Sequence, residues 1–194
     1  MTLAQSAHRQ LYFNSCPMPP TRIILYASAR SKGNTAVIAE YFAEVLQAPV
    51  LDLTTRPMAP FSYENDYPAD DSFQEVLQKI LPYDEWMLVT PVYWYTMSAQ
   101  MKIFIDRFSD VLKHYPEQRQ AIVGKGMWAI CCSSTAEHIP HFFTPFRLTA
   151  DYLGMEYLGE LHSWGGRVQE LKPEVKRLID TFVEEHQLRS GLGA

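Results

Sequence analysis

Cysteine is scarce in this 194-residue chain: there are three, at positions 16, 131 and 132. Two are adjacent within an apolar run, so they read as core thiols. That excludes a disulfide framework, a cysteine-rich zinc site and a four-cysteine iron–sulfur cluster built within one chain. Basic charge is also short. Lys and Arg total 17 against 22 Asp and Glu, a formal net charge of −5, whereas a nucleic-acid partner requires a strongly basic face. No apolar run approaches the roughly 18 residues that cross a bilayer, and the N-terminus lacks the basic-then-apolar order of a secretory signal. Neither Gly-x-Gly-x-x-Gly nor Gly-Lys-Ser/Thr occurs, and there is no internal repeat. These absences, with 47% hydrophobic residues, predict one reduced, cytoplasmic globular domain with no nucleic acid or membrane as partner.

What is there is rhythmic. "RIILYAS" (22–28), "PVLDL" (49–53), "EWMLVTPVY" (85–93), "GMWAICCSS" (126–134) and "EYLGELHSW" (156–164) are short apolar runs of the kind buried on both faces of a sheet. Between and after them, apolar residues recur at helical spacing: Ile38, Tyr41, Phe42 and Val45; Phe73, Val76, Leu77 and Ile80; Met101, Phe104, Ile105, Phe108 and Leu112; Val175, Leu178, Ile179 and Phe182. A further helix is expected over 142–154, closed by Gly154. Ser72 and Glu75 are spaced as a capping box. Five strands alternating with five helices predict an α/β doubly wound parallel sheet, order 2-1-3-4-5, with helices on both faces. Residues 1–21 are expected to lie outside the core as an extension, 22–188 to form the domain, and 189–194 to be a tail.

That topology places a ligand beyond the carboxyl ends of the strands, between the first and third. The loop after the first strand, "YASARSKGNT" (26–35), carries Ser28, Arg30, Gly33, Asn34 and Thr35 and no carboxylate. Short donors, a forked guanidinium and a helix N-terminus suit a phosphate, with Gly33 expected to allow a tight turn. A plain helix cap from Asn34 or Thr35 is the alternative. The loop after the third strand holds Tyr93, Trp94 and Tyr95 just past Pro91 and Val92. Consecutive aromatics leaving a sheet suit a planar ring ligand, a core lid or a subunit interface.

Here a resemblance enters. "SARSKGNT" is similar to the Ser-x-Arg-x-x-Gly-Asn-Thr phosphate loop of the flavodoxin-like NAD(P)H-dependent FMN reductases and quinone reductases. "PVYWYTMSAQMKIFIDR" resembles that family's flavin-ring loop and the Ser-Ala-x-x-Lys helix ending in Asp-Arg. The likeness runs from residue 22 to about 186, and it departs at Ala27, where members often have Gly. It implies a flavodoxin-like fold and an FMN cofactor. Ser28, Arg30, Asn34 and Thr35 would hold its phosphate; Pro91, Val92, Tyr93, Trp94 and Tyr95 would line its ring; Ser133, Ser134 and Thr135 would meet the other edge. It further implies hydride transfer from NAD(P)H through FMN to a quinone, nitro- or azo-aromatic, or flavin acceptor, in a homodimer or homotetramer. Tyr95 is the expected acceptor-contacting, catalytic side chain. The alternative is a flavodoxin-type electron carrier with no small-molecule substrate.

Other candidates read as structural. Lys102, Asp106 and Arg107 suit helix and core-edge electrostatics. His162 and Trp164 end the fifth strand, and a lone His there is expected to be structural. His138 and His141 lack the grouping of a metal site, so no metal is expected. Cys16 and Arg22 have the spacing of a phosphatase loop, but three prolines between them lack the N–H groups such a loop needs. Lys113, Arg119 and Lys125 are candidate readers of an NADPH 2′-phosphate. Segment 54–71, rich in Pro, Tyr and Asp, suits a lid or a subunit contact.

Overall fold

Five parallel strands build the centre of the molecule, in a computed structural model that describes residues 21–137, 139–165 and 170–188. They are β1 (Arg22–Tyr26), β2 (Val50–Asp52), β3 (Glu85–Pro91), β4 (Gly126–Ser133) and β5 (Glu156–Trp164), in the order β2-β1-β3-β4-β5. Every pairing is parallel. The helices are α1 (Asn34–Leu46), α2 (Phe73–Ile80), α3 (Ala99–Asp106), α4 (Phe108–His114), α5 (Pro116–Ile122), α6 (Thr144–Leu153) and α7 (Pro173–Glu185). The strand runs are apolar without alternation because both faces of the sheet are covered. On one face Leu25, Trp86, Leu88, Phe104, Phe108 and Phe146 share a core under α2 to α6. On the other, Ile24, Phe42, Val89, Ile130, Ile179 and Phe182 pack beneath α1 and α7.

Several local expectations change. The stripe from Met101 to Leu112 is not one helix: α3 gives way to α4 at Arg107, and α5 follows after Tyr115. Arg107 explains the break. Its guanidinium is 2% exposed and pairs with Asp71 at 2.7 Å and Asp110 at 2.6 Å. It also donates to the Ala59 carbonyl at 3.0 Å and lies 3.5 Å from the Tyr67 ring centroid. Arg107 is therefore the buried hub of an ion cluster, not an edge charge, whereas Lys102 and Asp106 do form an exposed i, i+4 pair. The cluster fastens residues 56–72 as a strap: Tyr67 donates to Asp110 at 2.9 Å, and Met58 packs on the core.

The capping box is not made. Ser72 donates its hydroxyl to the Pro57 carbonyl at 2.8 Å, tying down the strap, and Asp71 accepts the Phe73 N–H at 3.1 Å in its place. Glu75 pairs with Arg56 instead. Residues 1–20 and 189–194 and His138 lie outside the described residues, and with them most of the proposed N-terminal extension, Cys16, the C-terminal tail and one of the two paired histidines.

Candidate active site

The carboxyl ends of β1, β3 and β4 hold two cavities that share walls. The smaller, about 220 Å³, is lined by Ser28, Arg30, Gly33, Asn34, Thr35, Pro91, Val92, Tyr93, Cys132, Ser133 and Ser134. The larger, about 540 Å³, is lined by Val92, Trp94, Tyr95, Ser133, Ser134, Thr135, Glu137, Ile139 and Pro140. Val92, Ser133 and Ser134 belong to both, so the two form one crevice with a narrow polar end and a wide aromatic end. The wide end falls within the roughly 300–1,000 Å³ of small-molecule clefts. All the residues singled out from the sequence as cofactor-binding line one cavity or the other.

The polar end is organised by its neighbours. Ser28 gives its backbone N–H to Thr54 Oγ1 at 3.1 Å, leaving its hydroxyl on the cavity wall. Tyr26 donates its phenol to the Ser31 carbonyl at 3.2 Å and fixes the loop from below. Gly33 has φ −162° and ψ −176°, extended backbone that any residue adopts. The expected tight turn is therefore not what needs glycine. A Cβ there would sit 3.1 Å from Arg30 Nε, because the Arg30 side chain folds back over Gly33. Among the described residues, no carboxylate lines this end. Uncharged donors and one guanidinium at the start of a 13-residue helix suit a phosphomonoester.

The aromatic end is a strained turn. Tyr93 and Thr96 exchange backbone hydrogen bonds of 2.9 and 3.1 Å. Between them Trp94 has φ 48° and Tyr95 φ 67°. Two consecutive left-handed residues are the arrangement that Gly and Asn ordinarily supply, and two aromatics adopt it here at a cost of about 1–3 kcal/mol each. The strain presents the rings: Trp94 is 92% and Tyr95 75% exposed.

Ser98, fully buried, joins the two ends. It accepts the Met101 N–H as the cap of α3, donates its hydroxyl to the Ala27 carbonyl at 3.0 Å, and gives its own N–H to Thr90 Oγ1 at 3.0 Å. The loops leaving β1 and β3 are thus clamped together by one side chain.

Beyond β4, Ser133 Oγ lies 2.8 Å from His162 Nε2 and donates to the Thr135 carbonyl. Ser133 Oγ thus bridges the Thr135 carbonyl and the His162 ring. His162 thereby anchors the loop rather than lining either cavity, and Trp164 contacts the His162 ring edge-on. Burial pushes both the Cys131 and Cys132 thiols up to about 12, even though Thr35 hydrogen-bonds Cys132.

The supposed 2′-phosphate readers stand elsewhere. Lys125 donates to the Tyr83 carbonyl at the amino end of β4, about 23 Å of strand rise from Ser133. Lys113 lies over the Phe61 and Tyr63 rings, and Arg119 is on α5, which leads into that same amino end. Arg22, at the start of β1, pairs with Glu85 at 2.7 Å, also far from the crevice.

The sequence reading gave Ser98 no role beyond its place in the Ser-Ala-x-x-Lys stretch, and it missed Gly165. A Cβ on Gly165 would meet the Asn34 side chain at 2.1–2.4 Å, so the glycine makes room for a cradle residue. Its position directly after a strand is a usable signal. Glu137, Ile139 and Pro140 carry no comparable signal.

Residues 21–164 match the family model described as NADPH-dependent FMN reductase. The chain belongs to that family. It is an FMN-dependent NAD(P)H oxidoreductase. A protein of Bacillus subtilis (strain 168) named as an NAD(P)H-dependent FMN-containing oxidoreductase, YwqN, is 26% identical over 153 residues, covering 74% of this chain and 84% of its own. Among solved structures, the Trp repressor binding protein of Bacillus subtilis superposes with a TM-score of 0.65 at 23% identity, covering 90% of this chain and 100% of that one. An NADPH-quinone reductase from P. pentosaceus gives 0.61 at 18%, covering 89% and 99%. These two likenesses establish the flavodoxin-like fold. In this FMN reductase family member, no helix among the described residues is long and apolar enough to cross a membrane.

Proposed function

We propose that this FMN reductase family member reduces small aromatic acceptors, namely quinones, nitro- or azo-aromatics or free flavin, with NAD(P)H as reductant. One observation carries the reading: a carboxylate-free polar cradle opens, through shared walls, into a wide cavity edged by an exposed aromatic turn. That shape suits a mononucleotide held by its phosphate, with room beside its ring for a second planar molecule.

In this reading Ser28, Arg30, Asn34 and Thr35 bind the FMN phosphate, and Gly33 leaves space for the Arg30 side chain over the loop. Pro91, Val92, Tyr93, Trp94 and Tyr95 flank the ring on one side, and Ser133, Ser134 and Thr135 on the other. When bound, FMN supplies the hydride-accepting and hydride-donating chemistry. The chain supplies position and a slot, edged by Val92, Trp94, Tyr95, Ile139 and Pro140, in which a planar acceptor displaces water. Tyr95 touches the acceptor through its hydroxyl.

The test is NAD(P)H oxidation by FMN-loaded protein against a panel of quinones, azo dyes, nitroaromatics and free flavin. Turnover with at least one organic acceptor is expected. Oxidation by none of them, with stable FMN binding, supports an electron carrier instead. Tyr95→Phe is expected to change acceptor turnover more than FMN affinity; FMN loss with unchanged turnover per bound flavin removes Tyr95 from the acceptor site.

A further inference from the structure

The Tyr93 hydroxyl reaches across the crevice from the aromatic turn to the phosphate loop. It lies 3.4 Å from the Ala29 backbone nitrogen, which donates to it, and 3.4 Å from Ser28 Oγ. Both contacts are long beside the usual 2.9–3.0 Å for N–H···O and 2.7–2.8 Å for O–H···O. They are loose and easily exchanged. The phenol nonetheless stands on the wall of the polar cavity. The Ser28 N–H is already committed to Thr54, so Ala29 carries the next amide along the loop.

An amide has one hydrogen. A phosphate oxygen that takes the Ala29 N–H at ordinary length must take it from the phenol. The exchange favours the anion, because a hydrogen bond to an ionised acceptor is about twice as strong as a neutral one. Tyr93 is also the first residue of the strained turn. Its stem is fixed by Pro91 and by the Val92 N–H donated to Cys132 O at 2.9 Å, and its far side is closed by the paired bonds with Thr96. Trp94 is almost wholly and Tyr95 largely exposed, so little packing resists their movement.

We propose that the Tyr93 hydroxyl is a built-in competitor for the phosphate cradle: a phosphomonoester displaces it from Ala29, and its release repositions the Trp94–Tyr95 platform. The proposal rests on reading the cradle as the FMN phosphate site. Tyr93 is then a positioning residue that couples one end of the crevice to the other. The ring platform takes its ligand-bound arrangement only once the anion is seated.

The decisive variant is Tyr93→Phe, which keeps the ring and removes the oxygen. Deleting a polar group from a binding site ordinarily weakens binding; here it is expected to strengthen it. The Kd for inorganic phosphate and for FMN falls by about threefold to tenfold, the span of one modest hydrogen bond. The Kd for riboflavin, which lacks the phosphate, falls as well, because the variant frees the ring platform without an anion. In ligand-free wild-type protein, saturating inorganic phosphate alters acrylamide quenching of Trp94 fluorescence, with Trp94→Phe identifying the signal. In Tyr93→Phe that response is lost. Weaker phosphate or FMN binding by Tyr93→Phe makes the phenol a ligand and overturns the proposal. So does wild-type Trp94 quenching that ignores bound phosphate, a readout that needs no Tyr93 variant. Wild-type protein that binds neither FMN nor riboflavin overturns the flavin reading itself, a distinct result.

Discussion

Gly165 is among the most constrained residues at the site. Asn34 fills the space where its Cβ would stand, with contacts of 2.1–2.4 Å that backbone and side chain cannot both keep. Gly165→Ala therefore pushes Asn34 out of the cradle. The expected result is FMN affinity lower by about tenfold, near 1.4 kcal/mol, with riboflavin affinity changed much less, both measured by flavin fluorescence titration. Equal losses for the two flavins would place the damage at the ring end. Cys131 and Cys132 make the opposite kind of prediction. With both thiols raised to about 12 by burial, roughly one in 10⁴ is thiolate at pH 8. Iodoacetamide at that pH should leave both unmodified in native protein and label both after unfolding, as read by peptide mass spectrometry. Residue identity told much of this in advance. Ser28, Arg30, Asn34 and Thr35 were legible as one cluster, because they directly follow a buried strand, and the structure gathers them on the wall of one cavity. Gly165 was not, because the atom it accommodates lies 131 positions away in the chain.

At the scale of elements, the strap from 56 to 72 and the break between α3 and α4 have one cause. Burial alone would raise the Asp71 carboxyl, but hydrogen bonds from Arg107, Ala59 and Phe73 outweigh it and hold Asp71 below the usual carboxylate range. A depressed folded-state value stabilises the protein at pH above the unfolded carboxylate value, near 4. That contribution is lost as pH falls through the lowered value. Asp71→Asn should therefore melt at lower temperature at pH 7 and show a flatter acid limb below pH 4; an unchanged acid limb would assign the acid sensitivity elsewhere. Arg107→Ala leaves two buried carboxylates without their cation and is expected to lose about 3–5 kcal/mol in denaturant unfolding. None of this cluster was legible in the sequence. Apolar periodicity ran on through Arg107 as if one helix continued, because a buried cation and a surface one look alike until their partners are known. The five strands were legible because double burial leaves uninterrupted apolar runs. Their ends were less so: Leu53, Val92 and Tyr93 were read as strand, but lie in a 3-10 turn and a loop.

For the whole molecule, the sheet order β2-β1-β3-β4-β5 reverses direction between β1 and β3; the polar cavity opens at that switch, and the wide one lies beside it, between the loops after β3 and β4. Such a position followed from strand count and right-handed crossovers alone. What the count could not give is how much apolar surface one copy leaves in water. Trp94, Tyr95, Leu148 and Tyr152 are 63–92% exposed. Large exposed apolar side chains of this kind mark surfaces that associate. A homodimer is the expected species in sedimentation velocity, and a fully active monomer would contradict it.

The buried guanidinium belongs to the residue that ends α3, at the far end from Ser98, about 14 Å along the helix axis. Resilience to heat and grip on the coenzyme are consequently lodged in separate neighbourhoods. A library that randomises the apertures above the strands should yield new reactivities at nearly constant melting point, and robustness can be engineered from beneath without dulling the catalyst.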